Sequence, residues 1–325
     1  MPQPQKLRIL HLLRILREHT DDENVISMEG ILAKLRLHGF EANRKTIYDD
    51  IDALRIYGYD IIQQKGNNMG YAIVSRDFEL PELKLLIDIV QSSRFITEKK
   101  SKQLIEKIEK FTSKHFGKRL RRQMYVADRV KTANEAIYYN VDILHNAIAD
   151  GVQIAFKYNR YDINKKRQPQ NDGADYIASP YCLTFSEENY YLVAHYPKHE
   201  RLTHFRVDRM SMIRLLEDKS VAIAEIMGER FHLGTHLKNT FGMFGGKLER
   251  VSVRCENWLI DAVIDKFGEG VAVRKDGDTH FIATFSVNAS PTFYAWVFTF
   301  MGAMKIISPD EIKGEFQKAI EVFIE

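Results

Sequence analysis

Residues 43–71 constrain this chain more than any other stretch. Asn43 is a good helix N-cap, and Ile47, Ile51 and Leu54 then recur at helical spacing on one face. Gly58 closes that periodicity. The run Ile61-Ile62-Gln63-Gln64-Lys65 follows, then Gly66-Asn67-Asn68-Met69-Gly70, then Tyr71-Ala72-Ile73-Val74. This text predicts a strand, a glycine/asparagine turn and a second strand, with Lys65 near the tip.

Arg44, Lys45, Thr46 and Tyr48 crowd the opening turn of that helix, where a recognition helix presents side chains to base edges and phosphates. Two further helices precede it. Residues 6–19 carry Ile9, Leu12, Leu13 and Leu16 on an apolar side; Ser27 then caps a helix with Ile31, Leu32 and Leu35 that stops at Gly39. Three helices and a hairpin in this polarity point to a winged helix-turn-helix. Its expected contacts to double-stranded operator DNA are Arg44, Lys45, Thr46 and Tyr48 from the helix, with Lys65, Asn67 and Asn68 from the wing. The plainer reading of Arg44, Lys45 and Tyr48 is a solvated helix start, and the adjoining wing argues against it.

Bulk numbers place the chain without identifying it. At 325 residues it is long enough for about two or three domains. A hydrophobic content of 45% and a charged content of 28% are ordinary for a soluble globular protein. The net charge of +3 is too small to imply nucleic-acid binding, so any basic surface must be local. Cys182 and Cys255 stand far apart in apolar contexts, which suits buried thiols in a reducing compartment better than a disulfide or metal site. No apolar signal core opens the chain. The longest apolar window, residues 293–304, lies between Pro291 and Lys305 and reads as a core helix, so a cytoplasmic location and no membrane partner are expected.

Pro81 opens a new helical region, in which Leu83, Leu86, Ile87 and Val90 repeat helically, as do Leu104, Ile105 and Ile108 after Thr97. Residues 99–131 are rich in lysine and arginine; a solvated linker face is the favoured reading, and a second DNA-backbone contact the sharper one. A helix over residues 134–149 ends at Gly151, and short strands follow at 153–158, 178–185, 190–196 and 204–216, a spacing that suggests a small barrel or sandwich. The last segment reads strand (250–255), helix (258–267), a hairpin across Asp276-Gly277-Asp278, helix (292–301), strand (305–307), helix from Asp310. That βαββαβ order with one added helix is the ferredoxin-like arrangement. The expected fold class is therefore α+β and multidomain. Its four spans are a winged helix-turn-helix (1–77), a helical linker (78–133), a barrel (134–220) and a ferredoxin-like domain that helps dimerise (221–325).

Ser179-Pro180-Tyr181-Cys182-Leu183, Tyr190-Tyr191-Leu192-Val193-Ala194 and His204-Phe205-Arg206-Val207-Asp208-Arg209-Met210 together resemble a WYL domain. Tyr190-Tyr191-Leu192 stands where the name-giving Trp-Tyr-Leu would be. Thr46-Ile47-Tyr48-Asp49-Asp50-Ile51 resembles the winged helix-turn-helix that usually precedes such domains, and Trp296 with Phe300, Gly302 and Pro309 is similar to the C-terminal (WCX) extension of the same proteins. The resemblance implies a transcriptional regulator, usually a homodimer, whose WYL domain is an Sm-like β-barrel that senses a ligand; for several members that ligand is thought to be nucleic acid, such as single-stranded DNA.

The expected effector is single-stranded nucleic acid or a nucleotide, and the residues expected to meet it are Tyr181, Tyr191, His204, Arg206 and Arg209. The tyrosines offer faces on which bases stack, and the other three offer donors to phosphate. On a strand, His204, Arg206 and Asp208 share one face while Phe205 and Val207 share the other, and Arg209 joins the first face only if the strand bends. Tyr190 is expected in the core. Three departures from the family stand out: Tyr190 replaces the usual Trp, Thr203 and His204 occupy places where many relatives carry arginine, and Asp49 replaces a common recognition-helix arginine.

Other motifs fall away. His232 and His236 are spaced i, i+4, yet the glutamate of HExxH and a third ligand are missing, so surface or packing histidines are expected and no metal or cofactor. Gly245-Gly246-Lys247 is no phosphate loop, because Phe241 and Leu248 occupy the required Gly and Ser/Thr positions. No catalytic signature is found, and an enzyme is not expected. The competing reading is a nucleic-acid-binding accessory module that regulates an enzyme or complex, with the winged helix used for protein contacts.

Overall fold

The computed structural model describes residues 4–66, 69–122, 131–132 and 134–322, and of 121–122 the backbone alone. The chain divides into two compact units, Met1–Glu135 and Ala136–Glu325.

The first unit begins with α1 (Arg8–His19), α2 (Met28–Leu37) and α3 (Arg44–Tyr57), followed by the hairpin β1 (Ile61–Gln64) and β2 (Gly70–Ile73). Two caps set the helix starts. Ser27 Oγ accepts from Gly30 N at 3.1 Å, and Asn43 Oδ1 accepts from Thr46 N at 2.9 Å. Gly58 ends α3 at φ 117°, a left-handed C-cap that a side chain would strain. Leu12, Leu16, Ile31, Leu35, Ile47 and Ile51 form the shared core, with Ile61 and Ile73 closing it from the hairpin. A third extended residue joins that hairpin: Ile26 and Tyr71 exchange both backbone hydrogen bonds, at 3.0 and 2.8 Å. The approach is so close that a Cβ on Gly70 would sit 2.6 Å from the Ile26 carbonyl oxygen.

Helices α4 (Leu80–Ser92), α5 (Glu98–Ile108) and α6 (Lys114–Arg122) complete the unit, with Leu83, Ile87 and Leu120 as a small second core. Part of the basic run is answered by the chain's own carboxylates. Lys114 pairs with Glu18 at 2.6 Å, Arg119 with Glu23 at 2.9 Å, and Lys102 with Glu98 at 2.8 Å. Lys131 instead donates to the carbonyls of Val90 and Ser93 and to the Ser101 hydroxyl. Arg129 lies outside the described residues, as do the side chains of Arg121 and Arg122.

The second unit opens with α7 (Ile137–Asp150), ended by Gly151. A curled antiparallel sheet follows, built from β3 (Val152–Tyr161), β4 (Arg167–Pro169), β5 (Tyr176–Ser186), β6 (Asn189–His195), β7 (Thr203–Arg206) and β8 (Met210–Lys219). The strand order is β4-β3-β5-β6-β7, and β8 returns to pair with β3. Pro180 sits inside β5 at a register shift against β6, where the ladder can spare an N–H. Phe156, Tyr158, Tyr176, Tyr196 and Phe205 pack edge-to-face and stacked at 5.1 to 6.4 Å between ring centroids.

Two short helices, α8 (Ile223–Met227) and α9 (Leu233–Lys238), were not legible as elements in the sequence. After them come β9 (Lys247–Glu256), α10 (Ile260–Phe267), β10 (Ala272–Asp276), β11 (His280–Ala289), α11 (Pro291–Phe298), β12 (Met304–Ser308) and α12 (Asp310–Glu321). This sheet is antiparallel in the order β10-β11-β9-β12. Alternation along β9 puts Val251, Val253 and Cys255 into a core with Phe285, Phe293 and Val297. Trp296 packs on Phe241, Phe267 and Phe300.

Candidate functional site

The first candidate surface is the start of α3. Burial of Ile47, Ile51 and Leu54 turns the opposite face outward, so Arg44, Lys45 and Tyr48 are exposed and Thr46 is half-buried. Arg44 is 63% exposed and rests on Glu29, itself 68% exposed; such a pair is easily exchanged for a phosphate. Thr46 Oγ1 donates to Asn43 Oδ1 at 2.9 Å, so this hydroxyl reinforces the cap rather than facing a ligand. Tyr48 leans over Tyr71 of β2 with ring centroids 6.4 Å apart, which ties the helix surface to the hairpin. Arg55 reinforces that tie, donating from Nε and Nη2 to the Ile61 carbonyl at 2.9 and 2.8 Å. Lys65 is exposed at the end of β1, whereas Asn67 and Asn68 lie outside the described residues.

The second candidate surface is β7 and its neighbours, and here the structure corrects the sequence. Strand β7 stops at Arg206, and Val207–Arg209 form a 3-10 turn, so Asp208 is not in strand alternation. Phe205 and Val207 are buried as the alternation requires. Arg206 is not free to meet phosphate: it forms a fork to Asp208 at 3.1 and 2.9 Å and a further bond to Asn189 Oδ1 at 2.8 Å. The Asp208 carboxylate also holds the guanidinium pKa above its usual value.

His204 is likewise occupied. Its ring stacks on His236 of α9 with an interplanar angle of 15°, and the two Nε2 atoms are 3.2 Å apart. Burial above all, and then the neighbouring imidazole, push His204 down to about 4; burial lowers His236 as well. A neutral His204 at pH 7 cannot serve as a cationic phosphate donor.

The two tyrosines of the Tyr-Tyr-Leu run exchange roles. Tyr191, expected to offer a stacking face, is 8% exposed, whereas Tyr190, expected in the core, is half-buried with its ring against Phe185. The pairing of β6 with β5 and β7 explains the swap, because it sets Tyr191 opposite Thr184 and Arg206, in the middle of the sheet. Tyr181 spends its hydroxyl on the Val221 carbonyl at 2.9 Å, and its ring lines a shallow cleft with Ile223, Phe231 and Leu233. Arg209 is exposed on the turn and has no ion-pair partner among the described residues. The five expected effector residues therefore do not converge on one open surface.

A more enclosed space lies nearby. Arg201 and Leu202 of the β6–β7 connection, the α8–α9 segment and the β9 and β11 ends of the C-terminal sheet line a cavity of about 340 Å³. His236 lines it, and His204 stacks on the His236 ring. The sequence held no signal for it, since its polar residues are spread from 201 to 288 with no common motif.

Two negative findings bear on chemistry. No group of three or more His, Cys, Asp or Glu side chains suited to a metal ion occurs among the described residues. Both thiols are free, and burial raises Cys182 and pushes Cys255 up to about 12, so neither is a thiolate at neutral pH. No helix among the described residues is long and apolar enough to cross a membrane.

Comparison with known proteins fits this geometry at one place. Residues 139–215 match the WYL domain family, so the chain carries a WYL domain spanning α7 to β8. No curated protein matches the chain. Among solved structures, it is similar to the proteasome accessory factor B/C (PafBC) of Arthrobacter aurescens, at 14% identity over 97% of this chain and 48% of that one, with a TM-score of 0.29. It is also similar to a CRISPR Cas-related protein, at 13% identity over 90% of this chain and 76% of that one, with a TM-score of 0.38. The chain thus spans about half the length of the PafBC chain, and at these scores neither likeness carries an argument about function.

Proposed function

We propose that this protein is a DNA-binding transcriptional regulator whose operator affinity responds to a ligand held by its WYL-containing unit. In this reading α1–α3 with β1–β2 form a winged helix-turn-helix, and β3–β8 an Sm-like barrel. The sheet β10-β11-β9-β12 with α10 and α11 belongs to a ferredoxin-like domain used for dimerisation. One observation carries the reading: α3 is anchored by Ile47, Ile51 and Leu54 and by Arg55 on the wing, while its basic first turn stays exposed. A helix held rigidly with Arg44 and Lys45 outward is what groove insertion requires. A homodimer follows physically, because one recognition helix reads too few base pairs and two spaced half-sites multiply the specificity. In this reading the protein binds and does not catalyse, and it works in the cytoplasm. Ligand binding would act by differential affinity for two states of the DNA-bound dimer.

Genome-wide footprinting of the native protein tests this. The regulator reading expects a small set of discrete protected sites, two-fold in symmetry. One specific observation favours the competing accessory module: Ile56 and Tyr57, at the end of α3, are 89% and 81% exposed, an apolar pair suited to a protein partner. Diffuse protection without discrete sites would favour that module and end the regulator reading.

A further inference from the structure

The cavity beside the WYL sheet is built like a ligand site in ways the β7 surface is not. Its size falls within the range of roughly 300–1,000 Å³ usual for small-molecule pockets. Asn239 lines it, is only 9% exposed, and its side-chain amide makes no hydrogen bond among the described residues. Asn288 lines it at 2% exposure; its Nδ2 donates to Thr240 Oγ1 at 2.8 Å, and its Oδ1 receives no hydrogen bond among the described residues. Both residues are nine-tenths or more buried, and each keeps amide capacity that an occupant of the cavity can bond.

The rest of the lining says what the occupant is. Arg201 and Arg230 border the cavity, and neither has a carboxylate partner among the described residues. Guanidinia without a carboxylate partner recognise phosphate or carboxylate. Phe231 and Leu248 supply apolar wall, and Phe231 stands 5.5 Å from the His236 ring, an aromatic corner on which a flat ring can lie. Two amides that can pair with a ring edge, a stacking corner and two cations together describe one chemical class.

We propose that this cavity binds a planar organic anion of mononucleotide size. Arg201 and Arg230 hold its anionic group, Asn239 and Asn288 pair with its ring edge, and Phe231 covers its face. A space of this volume takes one nucleotide and not a strand. His236 of α9 lines the site, and its ring stacks on His204 of β7, so an occupant touches the α9 member of that pair. The proposal rests on reading the second unit as the sensing half, and occupancy is therefore measured apart from DNA affinity.

The test is isothermal titration of the full chain with AMP, GMP, CMP and UMP as probes, and with adenosine and inorganic phosphate as fragments. At least one mononucleotide should bind with one-to-one stoichiometry, and its fragments at least about tenfold more weakly. Arg230→Ala, an exposed change that leaves the core untouched, should weaken binding by about tenfold or more, as should Asn239→Ala. If Asn239→Ala lowers the melting temperature, Arg201→Ala replaces it as the second variant. Binding that leaves operator affinity unchanged would uphold the site and sink the regulator reading. No binding of any of the four nucleotides, or binding indifferent to both arginine variants, would overturn the proposal.

Discussion

At the scale of single residues, most groups expected to meet a ligand on β7 already have partners. Arg206 is satisfied by Asp208 and Asn189, and His204 by His236. The histidine pair makes a pH prediction whose sign is fixed. Unfolded imidazoles take up a proton near 6.5, whereas folded His204 resists it until about 4. A depressed imidazole pKa means that the unfolded chain binds more protons between those values. Stability is therefore complete above pH 6.5 and falls as pH drops towards 4, by on the order of 3 kcal/mol at most for His204. Urea midpoints followed between about pH 7 and pH 5 should show this loss, and His204→Gln should flatten it. A pH-independent midpoint in the native protein would mean that the pair is not neutral and buried as described. None of this was visible in the sequence, because the two histidines are 32 residues apart and each alone reads as ordinary packing.

At the scale of elements, legibility follows how local the determining interactions are. The caps at Ser27 and Asn43 act over three residues, and the hairpin turn is written in glycine and asparagine, so α2, α3 and β1–β2 could be read directly. The bridge between Ile26 and Tyr71 joins residues far apart and leaves one local trace, Gly70. Gly70→Ala should force Ile26 and β2 apart, costing about 1–3 kcal/mol in the first unit, with faster amide exchange in β1 and β2. Wild-type exchange in that variant would remove the bridge from the account. Helices α8 and α9 stayed unread for a different reason: at five and six residues they are too short to show a period. Their position is set instead by bonds to β11 and α11, such as Asn288 N to the Asn239 carbonyl at 2.8 Å and Thr292 Oγ1 to the Phe241 carbonyl at 2.8 Å. That unread strap is where the enclosed cavity lies. On β6 residues 191–194 are all buried, so no alternation separates Tyr190 from Tyr191; Tyr191 is buried between β5 and β7, whereas Tyr190 pairs with β5 alone.

At the scale of the whole molecule, the chain combines a well-anchored helix with a basic first turn in one compact unit with a WYL domain in the other. Net charge contributes little, and four linker cations, Lys99, Lys102, Lys114 and Arg119, are answered by carboxylates, so the proposed DNA affinity is assigned first to the exposed cations on α3 and the wing. Fluorescence anisotropy of the native protein on a duplex from its own promoter region, titrated with salt, measures this most directly. Arg44→Ala combined with Lys45→Ala should weaken binding by about tenfold or more and lower the slope of log affinity against log salt by about 2. An unchanged affinity and slope in the double variant, or no salt-sensitive binding by the native protein, would contradict the claim that α3 is its DNA-reading element.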